Sequence, residues 1–292
     1  METRKIQKTN DMMYLYLPTK WCKKNSITNK SKINIQYNPD GSITLLTENP
    51  KKTKKELKLK NTGANVDVLH KLMIACYTSS AKSFEIQLDN NLDYTKILNQ
   101  KNLVSLELVE VSEQEIKCET TIHVGDSIKL LQTILSKVKN LLMLIEKKAP
   151  KQLLERYEEE IDRNRLLIQK SVINGLINPT ESECRAIDLH YISKLAQELE
   201  QIADHCINYA NIPEELIVET HQIVGQVYDL IKTENVNLST KNTLKIINNI
   251  SEVQKKQIGN SPSKDILQIG KSLNGISEAL IDWAIAEEVR ER

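Results

Sequence analysis

Pairs of carboxylates four residues apart recur in the second half of this 292-residue sequence. The pairs are Glu158 with Asp162, Glu200 with Asp204, and Glu278 with Asp282. Side chains at positions i and i+4 share one face of an α-helix, so each pair sets two like charges side by side at a cost of about 0.3 kcal/mol. Two such helices packed together would present four carboxylates to one spot, and ligand sets made of oxygen suit divalent cations such as Mg²⁺, Mn²⁺ or Fe²⁺.

The alternative is that these pairs only form the wetted face of amphipathic helices, as a single E-x-x-x-D most often does. Three occurrences raise the case for metal, because two of them, in LEQIADHCINYA and SEALIDWAIAEE, lie at corresponding places in a weak internal repeat. His205 directly follows Asp204, but successive helical residues are rotated by about 100°. We therefore expect His205 to pack against a neighbour or face solvent rather than bind the ion.

The motifs of several enzyme classes are missing from the sequence. None of the five histidines follows a glutamate by three positions, which is the spacing that carboxylate di-iron bundles use. The sequence also has no H-E-x-x-H, no G-x-S-x-G and no P-loop. We expect a binding or regulatory protein rather than an enzyme.

The carboxylate pairs lie in a region that is predicted to be helical throughout. From residue 126 onward apolar residues recur every three or four positions, and prolines and polar stretches separate the helices. Six helical segments are predicted, at about 126–147, 150–177, 180–212, 214–233, 240–258 and 264–290. They form two sets of three, 126–212 and 213–292, and in the second set Ile250 and Gln254 stand where the first set has Glu158 and Asp162.

The preceding residues mix strands with short helices. In residues 1–49 the strand candidates are RKIQKT, MMYLYLP, KINIQYN and ITLLTE, with a short helix at PTKWCKKN and a hairpin turn at NPDGS. Residues 50–125 begin with a lysine-rich connector, in which Leu57 and Leu59 suggest an edge strand. They continue with a helix at VDVLHKLMIACYT, a strand at SFEIQLD, a short helix at DYTKILNQ and a second hairpin across Ser112–Glu113–Gln114.

Charge is unevenly distributed along the chain. Residues 1–60 hold 14 lysines and arginines against 5 acidic residues, whereas the remainder holds 26 against 34. A basic head of this kind favours a polyanionic partner such as DNA. The candidate contacts to DNA phosphates are Arg4, Lys5, Lys8, Lys20, Lys23 and Lys24. Because so small a β unit has little core of its own, we expect a homodimer through this head.

The cysteines and the hydropathy of the chain indicate a compartment. Five scattered cysteines without a C-x-x-C pair favour reduced thiols and a cytoplasmic location. The opening METRKIQKTND lacks the apolar core of a signal peptide. The sequence has no stretch of about 18 apolar residues, so we expect no segment that inserts into a membrane.

The carboxylate motifs carry a resemblance to a known family. LEQIADHCINYA, EEEIDRN and SEALIDWA resemble the E-x-x-x-D signatures of PhoU proteins, which regulate phosphate uptake. The resemblance implies two tandem three-helix bundles that bind a divalent metal, either Mg, Mn, Fe or Zn. The implied ligands are Glu158, Asp162, Glu200 and Asp204 in the first bundle, and Glu278 and Asp282 in the second.

Residues 3–49 carry a second resemblance. YLYLPTKW, followed by a strand and an Asp-Gly hairpin, resembles the AbrB/SpoVT swapped-hairpin DNA-binding domain, and the fusion is like that of archaeal phosphate-uptake regulators. It implies an α+β multidomain fold: a small swapped-hairpin β domain over 1–49, a basic linker and mixed α/β middle segment over 50–125, and two tandem three-helix bundles over 126–292.

The function implied by the two resemblances is that of a phosphate-responsive transcriptional regulator. The head would bind DNA, and the helical domain would relay phosphate status by contacting a phosphate transporter subunit or another regulator. The alternative is an interaction scaffold that regulates a phosphate transporter without binding DNA, whose N-terminal domain serves only dimerisation.

Overall fold

The computed structural model divides the chain into two compact units, Met1–Lys54 and Lys55–Arg292. The structure describes residues 3–37, 41–47, 56–61, 66–79, 81–88, 103–104, 106–112, 115–120, 126–179, 182–232, 238–257 and 262–291. The short helix expected at DYTKILNQ lies outside these ranges. The division at residues 125 and 126 within the second unit stays a prediction.

The first unit consists of short strands and one short helix, as predicted. Its elements are β1 (Gln7–Thr9), β2 (Met12–Tyr14), α1 (Thr19–Lys24), β3 (Ile33–Tyr37) and β4 (Ile43–Thr47). β1 pairs antiparallel with β2, and β3 pairs antiparallel with β4. Asn10, in the turn between β1 and β2, adopts a left-handed φ of 55°, a conformation that asparagine tolerates better than most residues.

The first unit has almost no interior of its own. No residue of its described part is buried. Large apolar side chains lie on its surface, and Met13 and Tyr16 remain 69% and 63% exposed. Such a unit gains little from hydrophobic burial within one copy of the chain.

The second unit begins with a four-stranded sheet covered on one face by a helix. Its elements are β5 (Glu56–Asn61), α2 (Val66–Thr78), β6 (Ser83–Leu88), β7 (Leu106–Ser112) and β8 (Glu115–Thr120). The strand order is β5-β6-β8-β7, with β5 parallel to β6 and the other pairs antiparallel. The predicted helix, the strand at SFEIQLD, the edge strand and the second hairpin are therefore confirmed. Leu69 and Met73 of α2 pack with Phe84, Ile86 and Ile116 of the sheet.

Six packed helices follow in the described residues. They are α3 (Ser127–Glu146), α4 (Lys151–Ile177), α5 (Ala186–Cys206), α6 (Glu214–Ile231), α7 (Thr240–Gln257) and α8 (Lys264–Glu291). The helix α5 is shorter than the predicted 180–212. Its start is set where the Asp188 carboxylate accepts a hydrogen bond of 3.2 Å from the Arg185 backbone N–H. Beyond Cys206 the chain turns into a short 3₁₀ helix, Tyr209–Asn211, ahead of Pro213.

The two sets of three helices share one hydrophobic core. The helices α3, α4 and α5 pack against one another, while α6 packs on α3, α8 packs on α5, and α7 packs on both α6 and α8. The core contains buried leucines and isoleucines from all six helices, such as Leu135, Ile161, Leu199, Ile250 and Ile269. The recurrence of apolar residues at three and four positions places one stripe of each helix in this core.

The helix α4 also holds the sheet segment. Leu166 of α4 packs with Tyr77 and Leu103. The Lys170 Nζ atom donates a hydrogen bond of 2.8 Å to Thr120 Oγ1 and lies 4.4 Å from the centre of the Tyr77 ring. Burial lowers the pKa of Lys170 to about 8, because desolvation disfavours the charged amine.

All five cysteines are free thiols, as expected: Cys22, Cys76, Cys118, Cys184 and Cys206. None of the helices in the described ranges combines the length and the apolar character needed to cross a membrane.

Candidate metal centre

The helices α4 and α5 run antiparallel and bring their acidic stripes face to face. A Cβ atom added at Gly175 would lie 2.7 Å from the Leu189 side chain, so the end of α4 closely approaches the beginning of α5. At the opposite end, Glu158 lies beside Asp204. Each acidic stripe borders a buried apolar stripe of the same helix, which includes Ile161 on α4 and Leu199 on α5. Core packing therefore fixes where the carboxylates meet.

Three carboxylates from the two helices converge on one spot. One oxygen from each of Glu158, Asp162 and Asp204 lies within 4.8 Å of the others. Oxygens that share a divalent ion at the usual distances of about 2.0–2.6 Å are at most about 5 Å apart, so these side chains fit an ion. The triad of Glu158, Asp162 and Asp204 could hold a divalent cation through oxygen alone.

The triad carries net negative charge, which Arg165 offsets only in part at Asp162 and Asp204. Burial, followed by repulsion from Asp162 and Asp204, raises the pKa of Glu158 to about 7. Burial and the charge of Asp204 also raise the pKa of Asp162. Near pH 7 the Glu158 carboxyl of the metal-free site is therefore partly protonated, and a bound divalent cation would displace that proton.

Glu200, the fourth predicted ligand of the first bundle, lies one helical turn from Asp204 and contacts a cation. Its Oε1 atom is 2.9 Å from Arg165 Nε. That Nε has no hydrogen-bond partner in the described residues, so the contact is an ion pair without the direction of a hydrogen bond. Burial raises the pKa of Glu200 to about 7 even though Arg165 opposes the shift.

His205 points away from the triad, as the rotation between neighbouring helical residues predicts. Its Nδ1 atom lies 2.8 Å from Asp265 Oδ1 at the beginning of α8. The contact links α5 to α8 and keeps the imidazole out of the group of oxygens. The described residues thus supply the candidate ion with carboxylate ligands only.

The third carboxylate pair lies elsewhere. Glu278 is exposed, accepts a hydrogen bond of 2.8 Å from Asn274 Nδ2, and has Lys194 Nζ at 3.7 Å. Asp282 is exposed as well. Within the ranges that the structure describes, neither residue joins a group of three metal-ligating side chains. A role for Glu278 and Asp282 in metal binding stays a prediction.

In the second set of helices, Gln254 of α7 does not lie opposite Glu278 of α8. Gln254 of α7 donates a hydrogen bond of 2.9 Å to the Gly270 carbonyl. Gly270 precedes Glu278 by eight residues, which is about 12 Å along a helix. Ile250, the other counterpart of the first-bundle acids, is buried in the core.

The six cations proposed for DNA are all exposed in the first unit. Arg4 and Lys5 precede β1, Lys8 lies within β1, and the remaining three are on α1: Lys20, Lys23 and Lys24. Exposed cations suit contacts with phosphates. Their role in binding DNA stays a prediction.

One functional candidate beside the triad, Arg165, was not predicted from the sequence. Arg165 follows Asp162 by three residues and Glu158 by seven, so a helical wheel places it on the acidic face. This spacing could have identified Arg165 from the sequence, because a cation on a face of carboxylates lies at the edge of the acidic site.

The PhoU domain model matches residues 128–212. The matched range spans α3, α4 and α5 and includes the whole triad. A search of curated proteins and a search of solved structures gave no match. Residues 128–212 are therefore a PhoU domain, which implies a role in regulating phosphate uptake, and this family is generally regulatory rather than catalytic. The AbrB/SpoVT resemblance of residues 3–49 stays a prediction.

Proposed function

We propose that this protein is a phosphate-responsive transcriptional regulator that binds DNA through its first unit and relays phosphate status through its helical domain. The observation that carries the proposal is the convergence of Glu158, Asp162 and Asp204 inside the PhoU domain. A site of this kind gives a regulatory domain a ligand-dependent contact between two helices. The proposed setting is the cytoplasm.

The triad binds a divalent cation, which is Mg, Mn, Fe or Zn. The ion offsets the repulsion among the carboxylates and ties α4 to α5. Because α4 also packs on the sheet segment through Leu166 and Lys170, the ion stiffens a helix that contacts both parts of the second unit. The helical domain passes this state to a phosphate transporter subunit or to another regulator.

The first unit binds DNA as a homodimer. Two features support this proposal: the six exposed cations, and the exposed apolar side chains such as Met13, Tyr16 and Ile35. A second copy that covers these apolar side chains supplies the burial that one copy lacks. The dimer then presents two sets of cations to the duplex.

DNA retardation by the full-length protein across a series of salt concentrations tests the head. Reversing the charges of Lys20, Lys23 and Lys24 to glutamate should abolish binding to upstream regions of phosphate-uptake genes without changing the size of the oligomer. The affinity of the unaltered protein should fall steeply with salt, with a logarithmic slope of about −0.9 for each phosphate contacted. Binding that does not change with salt contradicts the proposal.

A matched control keeps the same change in total charge. The exposed lysines Lys241, Lys245 and Lys255 of α7 are reversed to glutamate in a second variant, which should bind DNA like the unaltered protein. Equal losses in both variants would show that only total charge matters.

The second candidate function is a scaffold that regulates a phosphate transporter without binding DNA. No residue in the described part of the first unit is buried. This favours the scaffold and the regulator equally, because both functions need the first unit to dimerise. A stable dimer that retards none of the DNA fragments at low salt would select the scaffold.

A further inference from the structure

A groove of about 120 Å³ lies between α4 and α5, beside the triad. Its lining residues are Arg165, Ile168 and Gln169 from α4, and Ser193, Ala196 and Gln197 from α5. Ile168 and Ala196 are buried. The other four side chains are polar and bring one guanidinium, two amides and one hydroxyl to a single small space.

Several hydrogen-bond donors of these four polar side chains are available to a ligand. Arg165 Nη1 donates a long hydrogen bond of 3.4 Å to Gln169 Oε1. Arg165 Nε makes the ion pair with Glu200 and no hydrogen bond of regular geometry in the described residues. The hydrogen bond from Nη1 engages the oxygen of the Gln169 amide and leaves its NH₂ group available. Ser193 and Gln197 make no side-chain hydrogen bond within the part of the chain that the structure describes.

The donor set matches the surface of a small oxyanion. Guanidinium groups bind tetrahedral oxyanions through two parallel hydrogen bonds, and amide and hydroxyl donors reach the remaining oxygens. The groove is much smaller than the pockets of about 300–1,000 Å³ that hold larger ligands. A single inorganic ion fits these limits better than a nucleotide.

The neighbouring charges make such binding depend on the metal. Arg165 is paired with Glu200, and the triad adds further negative charge close by. An anion is repelled while these carboxylates are uncompensated, and a divalent cation reverses much of that repulsion. A metal ion that attracts the Glu200 carboxylate also weakens its ion pair with Arg165 and leaves the guanidinium available to the anion.

We propose that the groove of Arg165, Gln169, Ser193 and Gln197 binds a small tetrahedral oxyanion such as phosphate, and that a divalent cation in the triad strengthens this binding. This inference rests on the proposed metal centre and adds the effector to it. By linkage, the oxyanion strengthens metal binding by the same factor.

Equilibrium dialysis of the full-length protein against radiolabelled inorganic phosphate tests the proposal, with Mn²⁺ or with EDTA. Phosphate should bind tightly with Mn²⁺ and weakly without it. The variant Arg165→Gln should lower phosphate affinity by about tenfold or more, because a charge-assisted hydrogen bond is lost. The control Arg156→Gln removes the charge of an exposed arginine nine residues earlier on α4 and should bind phosphate normally.

Further variants and ligands keep each outcome interpretable. Gln169→Ala should weaken phosphate binding several-fold, and it serves if Arg165→Gln does not fold. Sulfate should compete as a second tetrahedral oxyanion, whereas phosphoserine should compete poorly if the groove takes only the free ion. Better competition by phosphoserine would identify a phosphorylated chain as the ligand and overturn the assignment to free phosphate.

The failure of this proposal differs from the failure of the metal centre. If Mn²⁺ binds by calorimetry but phosphate does not, or if Arg165→Gln and Arg156→Gln bind phosphate equally, the groove is not the site and the metal centre stands. If Mn²⁺ does not bind, the metal centre is rejected and so is the linkage. Phosphate binding that then still depends on Arg165 would retain the groove alone.

Discussion

The interfaces that α5 makes with α4 and with α8 use acidic residues in opposite ways. Towards α4, Asp204 meets Glu158 and Asp162 without a basic group among them. Towards α8, the Asp188 carboxylate accepts a hydrogen bond of 2.9 Å from Trp283 Nε1 and pairs with Arg185. The first interface carries charge that a ligand can offset, whereas Asp188 in the second interface already has its cationic and hydrogen-bonding partners.

The pKa directions express this difference. Burial opposes ionisation of Asp188, yet hydrogen bonds from Arg185 and Trp283 hold its pKa below the ordinary value. Burial and like charges raise the pKa of Glu158 to about 7. Partial burial alone therefore does not mark a binding site: the marker is the lack of a partner for the buried charge.

The largest expected effect is the loss of metal binding when the α4–α5 interface is altered. The double variant Asp162→Asn/Asp204→Asn should lower the affinity for Mn²⁺ by at least about 100-fold, since even outer partners of metal ligands are worth 10–100-fold. Isothermal titration calorimetry measures the change. The control Glu214→Gln/Asp229→Asn alters two exposed carboxylates of α6 and should bind Mn²⁺ normally, and an equal loss there would show that only total charge matters.

The next effect is a dependence of metal binding on pH near neutrality at the α4–α5 interface. Glu158 and Glu200 have a pKa of about 7, raised from 4.5. For each proton that the metal displaces, the affinity for Mn²⁺ should rise by about tenfold per pH unit below pH 7. Calorimetry at a series of pH values tests this, and an affinity that is flat between pH 5.5 and 7.5 would contradict it.

The same groups affect the stability of the metal-free protein. Because their folded-state pKa is raised, their contribution is fully present below pH 4.5 and is lost as the pH rises through 7. The metal-free protein should therefore melt at a lower temperature at pH 8 than at pH 6, and Mn²⁺ should reduce the difference. Glu158→Gln/Glu200→Gln should flatten the dependence, while Asp188, with its lowered pKa, affects stability only at acidic pH.

A smaller effect is expected on the stability of the α5–α8 interface. Trp283→Phe removes the indole N–H that donates to the Asp188 carboxylate, and the loss should cost about 1.5–3 kcal/mol of unfolding free energy. Urea denaturation measures it. Glu278→Gln on the same helix should change stability by less than about 0.5 kcal/mol, because its contacts are exposed. A larger loss of stability in Glu278→Gln than in Trp283→Phe would show that the exposed contacts of Glu278 stabilise the interface more than the Asp188–Trp283 hydrogen bond does.

The smallest effect is expected where the second motif is completed artificially. Gln254→Glu restores a carboxylate to α7, but its neighbour on α8 is Gly270 rather than Glu278. The variant should gain no site for Mn²⁺ and should lose about 1 kcal/mol with the hydrogen bond. A new binding event that also requires Glu278 would show that α7 and α8 pack in another register.

Much of the fold could be predicted because its signals are local. The pattern VDVLHKLMIACYT coincides with α2, and the strand candidates coincide with β1 to β8 to within a few residues. The start of α5 was missed by six residues because a side-chain cap at Asp188 sets it, and a cap does not disturb the apolar periodicity. Pro150 and Pro213 marked two of the other breaks because proline cannot continue a helix, and the polar stretches 234–239 and 259–263 marked the remaining two.

The sequence by itself determined which residues share a helical face, because a repeat of 3.6 residues follows from backbone geometry. It placed Glu200 and Asp204 on one stripe of α5, and Glu278 and Asp282 on one stripe of α8. Tertiary structure alone decided what each stripe meets. The antiparallel packing of α4 on α5 gives the first stripe carboxylates and Arg165, while the packing of α5 and α7 on α8 gives the second stripe Lys194 and a neighbour about two turns out of register. Those contacts join residues far apart in the chain, and no local pattern records them.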